Sequence, residues 1–240
     1  MGFPSGYRER LELMDAGRLA RTLARMAHEM VERHPDIASA VLVGVRTRGV
    51  PLAQRLARLI AAAAGNAPPV GALDITLYRD DLTTIAPHPV LKGTEIPVSI
   101  DGRVVVLVDD VLYTGRTARA ALDELIDFGR PSRIELAVLV DRGHRELPIR
   151  ADYAGKTLTT TRDEIVQVML ADEDGADRVV LLEKEIVAEA KQARAGKRRT
   201  GTSRHKRRAA RATGFTSGAS AGGSGGAAQH PPAKKKGRRG

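Results

Sequence analysis

Val104-Val105-Val106-Leu107-Val108-Asp109-Asp110-Val111-Leu112-Tyr113-Thr114-Gly115-Arg116-Thr117 decides the fold of this chain. Five apolar residues in succession predict a strand buried on both faces, as in a parallel sheet. Two carboxylates follow at its carboxyl end, and a Thr-Gly-Arg-Thr turn then opens a helix. A helix amino terminus offers unpaired N–H groups and the positive end of a dipole, so it receives a phosphate. Gly115 lets the backbone approach that phosphate closely, and Thr114 and Thr117 add hydroxyl donors. Asp109 and Asp110 cannot face the phosphate. They suit the hydroxyls of a sugar that carries it, or a divalent metal. An Asp after a strand also caps many helices, so the whole string, and not Asp-Asp alone, carries the reading. The string is neither a Walker loop nor a Gly-x-Gly-x-x-Gly dinucleotide loop.

Working outward, the same pattern repeats. Leu11 to Arg33 is predicted as a helix. Leu19, Leu23, Met26 and Met30 fall within roughly 60° of each other, and Arg18, Arg21, Arg25 and His28 lie on the opposite side. A strand over 40–45 ends in Arg46-Thr47-Arg48-Gly49, and a helix follows from about Leu52 to Ala64. Ala72 to Tyr78 is predicted as a strand ending in Arg79-Asp80-Asp81. Residues 82–97, rich in Pro, Thr and Gly, read as a mobile loop. A helix is expected from Thr117 to Phe128, stopped by Gly129 and Pro131. Ile134 to Val140 is a further buried strand, ending in Asp141-Arg142-Gly143-His144-Arg145. Short strands are expected within 151–170 and at 179–182, and a helix from Glu183 to Ala195. Alternating strands and helices imply an α/β fold, a mostly parallel twisted sheet with helices on both faces. Every polar cluster follows a strand, where ligands bind in open α/β sheets.

The formal net charge of +10 conceals two parts. Residues 191–240 hold 15 of the 39 Lys and Arg and no Asp or Glu, while residues 1–190 carry a net charge of −5. Residues 1–190 are expected to form one domain, and 191–240 a disordered Lys/Arg/Gly/Ser-rich tail that cannot bury enough surface to order itself. The sequence contains no cysteine, which excludes disulfides and thiolate metal sites. No apolar run reaches about 18 residues, and no signal-peptide core stands at the start, so a cytoplasmic protein is expected.

The resemblance to a known family extends beyond the first string. That string resembles the phosphoribosyl-pyrophosphate (PRPP) signature of type I phosphoribosyltransferases. Val43-Gly44-Val45-Arg46-Thr47-Arg48-Gly49-Val50-Pro51-Leu52-Ala53, Leu73 to Leu82, and Leu139-Val140-Asp141-Arg142-Gly143-His144-Arg145-Glu146-Leu147-Pro148-Ile149-Arg150-Ala151-Asp152-Tyr153 resemble the family of bifunctional pyrimidine operon regulators and uracil phosphoribosyltransferases. The third segment is the most specific. The match covers roughly residues 11–183 and leaves the basic tail outside.

The resemblance implies the type I phosphoribosyltransferase fold. It also implies transfer of ribose 5-phosphate from PRPP to uracil, giving UMP and pyrophosphate, with Mg²⁺ accompanying PRPP. Val105 to Thr117 would form the PRPP site (Val105, Val106, Leu107, Val108, Asp109, Asp110, Val111, Leu112, Tyr113, Thr114, Gly115, Arg116, Thr117), with Asp109 and Asp110 placing the metal. Thr47, Arg48 and Gly49 would bind pyrophosphate. Arg79 and its loop would close over PRPP, and Arg142 and Val168 match positions near the substrate. No side-chain nucleophile is needed. Arg142 also reads as a structural partner for Asp141, and Arg79 as one for Asp80 or Asp81.

The family also binds leader RNA of pyrimidine genes when UMP is high. Arg25, His28, Arg33, His144, Arg145 and Arg150 match its RNA-contact positions. Arg18 and Arg21 extend the basic stripe, which suits phosphate tracking. A solvated helix face is the plainer reading of that stripe. Two alternatives stay open: a pure regulator that keeps the site as a nucleotide sensor, and a transferase for another base. A homo-oligomer is expected from the resemblance.

Overall fold

The computed structural model describes residues 3–75 and 93–185. In chain order the elements are β1 (Tyr7–Met14), α1 (Ala16–Arg33), β2 (Val41–Val45), α2 (Gly49–Ala64), β3 (Val70–Leu73), β4 (Val104–Leu112), α3 (Arg116–Asp127), β5 (Arg133–Asp141), β6 (Tyr153–Thr157), β7 (Ile165–Met169), the four-residue α4 (Ala171–Asp174) and β8 (Arg178–Lys184). Five strands make a wholly parallel sheet in the order β3-β2-β4-β5-β6. A second, antiparallel sheet runs β1-β8-β7.

β4 explains the unbroken apolar run. Val106 and Val108 join the core under α1 and α2, while Val105 and Leu107 join the core that includes Ala118, Ala121 and Leu125 of α3. All four are at most 1% exposed. A strand covered on both faces needs apolar residues at every position.

β2 pairs with β3 on one side and β4 on the other. The strand order therefore reverses between β2 and β4, and their carboxyl ends lie side by side, with Gly44 level with Val108. Such a reversal opens a crevice in an α/β sheet. The crevice is tight at its base. A Cβ on Gly49 would overlap the Val108 carbonyl oxygen, and a Cβ on Gly44 would stand 2.5 Å from the Gly49 carbonyl oxygen.

Several expectations are corrected. Leu11 to Met14 are not helical but end β1, which is half charged and mostly exposed. The helix starts at Ala16, where the Asp15 side chain accepts from Arg18 N–H at 2.6 Å as an N-cap. β1 finds its partner only in β8, at the far end of the domain, so local sequence gave it no support. Glu183 and Lys184 belong to β8, not to a helix. α2 starts at Gly49, with Pro51 in its first turn, where proline is tolerated. β3 ends at Leu73. Residues 93–97 are not a free loop: Glu95 bridges Ala72 antiparallel through two 2.8 Å hydrogen bonds. The expected loop over 82–92 and Arg79, with the tail, lie outside the described residues.

Among the described residues no helix is long and apolar enough to cross a membrane.

Candidate functional site

β4 delivers Asp109 and Asp110, both half-buried, to the crevice. Asp109 Oδ1 accepts from Asp110 N–H at 2.9 Å, and Asp110 Oδ1 from Val111 N–H at 2.8 Å. Burial pushes the Asp110 carboxyl above the ordinary carboxylate range, and the Arg48 charge opposes it. The loop then turns at Gly115, with φ of +93°, a left-handed conformation that favours glycine. Gly115 is the N-cap of α3 and has no side chain to fold back on the first turn, which also contains no acidic residue. The start of α3 is thus electropositive. Thr114 and Thr117 stand half-buried on either side of the cap.

Across the crevice runs the turn after β2. Arg46 N–H donates to Leu73 O at 2.9 Å, and the Arg46–Thr47 peptide is cis. Thr47 is exposed. Arg48 forms a fork on Asp174 of α4, Nε to Oδ2 at 3.1 Å and Nη2 to Oδ1 at 2.8 Å. Asp174 also accepts from Leu170 N–H at 3.0 Å. The Arg48 hydrogen bond holds the Asp174 carboxyl below its usual range, and Asp174 raises Arg48 in turn. Arg55 of α2 makes a parallel link, to Asp172 and Asp177. Asp174 was not singled out from sequence. Its one signal is the Asp172-Glu173-Asp174 run before Gly175.

The segment after β5 packs against the loop after β4, where Glu146 and Leu147 N–H donate to the Thr114 carbonyl. Arg142, 5% exposed, donates to Thr160 Oγ1 at 3.0 Å, Thr161 O at 2.9 Å and Glu164 O at 2.6 Å, and stacks 4.1 Å from the Tyr113 ring centre. It joins the β7 approach to the end of β5. Asp141 pairs instead with Arg145, at 2.5 Å. His144, with φ of +60°, approaches Tyr113 edge-on at 5.8 Å and has Nε2 2.5 Å from Thr160 O.

Not every residue of the expected sites faces the crevice. Val105, Val106, Leu107, Val108, Leu112 and Val168 are sealed in the core. Their side chains carry the fold, and the part of the signature that reaches the crevice begins at Asp109. Arg116 is exposed and bonded through Nε to Glu146 at 2.9 Å.

α1 separates its faces as expected. Leu19, Leu23, Met26 and Met30 are buried, and Arg18, Arg21, Arg25, His28 and Arg33 are exposed. Arg25 also donates to the Ala154 and Gly155 carbonyls of edge strand β6, at 2.9 and 2.7 Å. Arg33 lies 4.6 Å over the Tyr153 ring. Arg150 is exposed.

Residues 9–174 match the model of the phosphoribosyl transferase domain family. Two solved structures share the fold: a hypoxanthine-guanine phosphoribosyltransferase from Bacillus anthracis (TM-score 0.56, 18% identity, 73% of this chain and 98% of that one) and the hypoxanthine phosphoribosyltransferase of Trypanosoma cruzi (0.59, 17%, 77% and 96%). The chain belongs to the phosphoribosyl transferase domain family, as an enzyme of the type I fold. The "Bifunctional protein PyrR" of Thermus aquaticus is 60% identical over 178 residues, covering 74% of this chain and 98% of its own length. That of Pelotomaculum thermopropionicum is 58% identical over 176 residues, covering 73% and 97%. Within its class, the chain belongs to the bifunctional PyrR family, pyrimidine operon regulators with uracil phosphoribosyltransferase activity.

Proposed function

We propose that the crevice between the carboxyl ends of β2 and β4 binds PRPP and transfers its ribose 5-phosphate to N1 of uracil, and that UMP held there favours RNA binding by the cationic face of α1. One observation carries the enzymatic half. An electropositive helix start, two adjacent carboxylates and the 47–49 turn converge on one switch point.

The N–H groups at the start of α3, with Thr114 and Thr117, hold the 5-phosphate. Asp109 and Asp110 accept from the ribose hydroxyls. Backbone N–H groups of Thr47, Arg48 and Gly49 face pyrophosphate. Loss of pyrophosphate leaves an oxocarbenium-like ribose, so the residues act by alignment and charge stabilisation, without a covalent step. The donors present suit Mg²⁺, which takes oxygen ligands and commonly only one or two protein carboxylates beside substrate phosphates. Asp109 and Asp110 would hold it with PRPP, and it would neutralise charge on the pyrophosphate. Arg79 and its neighbours would exclude water.

Arg18, Arg21, Arg25, His28 and Arg33 form the phosphate-tracking face for pyrimidine-gene leader RNA, and exposed Arg150 offers a further cation. Residues 1–190 are the catalytic and regulatory domain, and 191–240 a basic appendage. The protein works in the cytoplasm as a homo-oligomer.

Incubation with PRPP, Mg²⁺ and each free base in turn tests the reading. UMP from uracil alone is the expected product. Another nucleotide overturns the choice of base, and UMP binding without turnover reduces the site to a sensor.

A further inference from the structure

Three neighbours hold the 46–49 turn. Arg46 donates through its N–H to Leu73 O at 2.9 Å and through Nε to Gly93 O at 3.1 Å. Gly49 rests on the Val108 carbonyl of β4, where a Cβ would stand 2.3 Å from the oxygen. Arg48 is tied to Asp174 of α4 by two hydrogen bonds.

Asp174 is itself fixed. Its Oδ2 accepts from Leu170 N–H at 3.0 Å, just past the end of β7. Its side chain is almost wholly buried, so its charge depends on Arg48 for compensation. A bare carboxylate at this place would repel an anion from the turn. Paired, the two charges offset each other, and what the pair adds is geometry. A guanidinium is a rigid planar fork, and a two-point bond to a carboxylate fixes both its plane and its position. Through Asp174 the fork therefore ties the 46–49 turn to the end of β7.

We propose that Asp174 is a positioning residue for the transferase reaction: it presets Arg48, and with it the backbone N–H groups of residues 47–49, for pyrophosphate. This rests on the proposed assignment of that turn to pyrophosphate. The competing arrangement is one in which the fork withholds Arg48 from the ligand. The two differ in sign. A preset turn loses affinity for pyrophosphate when Asp174 is removed, because the ordering cost then falls on binding. A withheld arginine is released, and affinity rises.

The reverse reaction, from UMP and pyrophosphate to uracil and PRPP with Mg²⁺, reads pyrophosphate directly. Asp174→Ala should raise KM for pyrophosphate about tenfold and leave KM for UMP within about twofold, since the 5-phosphate is assigned to the loop after β4. Asp174→Asn keeps an acceptor for the guanidinium but no charge, and it serves where the alanine variant does not fold. It should raise KM for pyrophosphate by a smaller factor, about threefold. Arg55→Ala removes the parallel link from α2 to Asp172 and Asp177 and leaves the contacts of the 46–49 turn in place. It should lower stability without changing KM for pyrophosphate. An equal rise in Arg55→Ala, or an unchanged or lower KM in the Asp174 variants, overturns the proposal. Absence of reverse turnover in wild type overturns the transferase reading beneath it, and the proposal with it.

Discussion

Arg48 and Asp174 meet in a two-point fork, and the carboxylate beneath it is nearly sealed, its side chain 1% exposed against 27% for the guanidinium. The pair joins the turn after β2 to α4, between the two sheets. A buried carboxylate stripped of its cation is costly. Arg48 therefore serves best by holding the 47–49 backbone still, and a swing of its side chain to pyrophosphate would leave Asp174 unpaired. Arg48→Ala should lower stability by about 3 kcal/mol, the lower end for breaking a buried pair. Urea unfolding checks this. A loss of activity with unchanged stability would return Arg48 to the role of a simple ligand.

The same pair sets an acid dependence. The Arg48 hydrogen bond lowers the Asp174 carboxyl from its ordinary 3.8. Its contribution is full above that value and is lost as pH falls through the lower folded value. The stability gap between wild type and Asp174→Asn should shrink as pH drops from 6 to 3. Urea midpoints across that range measure it, and a constant gap would exclude the ion pair as its source.

Asp110→Asn should leave the fold intact and slow UMP formation at least tenfold, about 1.4 kcal/mol of barrier. The measurement is the rate at saturating PRPP and uracil. Equal rates would remove Asp110 from the site.

Truncation after Ala195 should preserve UMP synthesis, because no residue assigned to the site lies beyond Asp174. It removes most of the 15 Lys and Arg of residues 191–240. RNA binding should weaken at low salt, and its log–log salt slope should flatten by about 0.7 for each single-strand phosphate that is no longer neutralised. Superimposable salt curves would show that these residues take no part.

The sheet, the helices and the two turns at the crevice were legible because their cause is local. The apolar run of β4 reports burial on both faces, and Gly115 reports a turn that needs left-handed backbone. β1 and Asp174 were not legible, because each depends on a partner far along the chain, β8 for one and Arg48 for the other. The inward hydrogen bonds of Arg145, to the Tyr113 carbonyl and the Asp141 carboxylate, are likewise not reported by any sequence pattern.

The pairing of β1 with β8, Tyr7 opposite Lys184 and Met14 opposite Val179, also sets the order of events during synthesis. At about 5–20 residues per second, β1 waits roughly 9–34 s for its partner to be made. Over that interval it is an unpaired strand in a crowded cell. Its composition suits the wait: Arg8, Glu9, Arg10 and Glu12 place charge on half of its eight residues, and charged strands resist edge-to-edge association. The parallel sheet forms while this ribbon stays soluble, and the sheet that carries α4, with Asp174, closes last. The crevice thus gains its final brace only after β8 emerges, so a nascent chain stalled before that point would hold the loop after β4 without a locked Arg48.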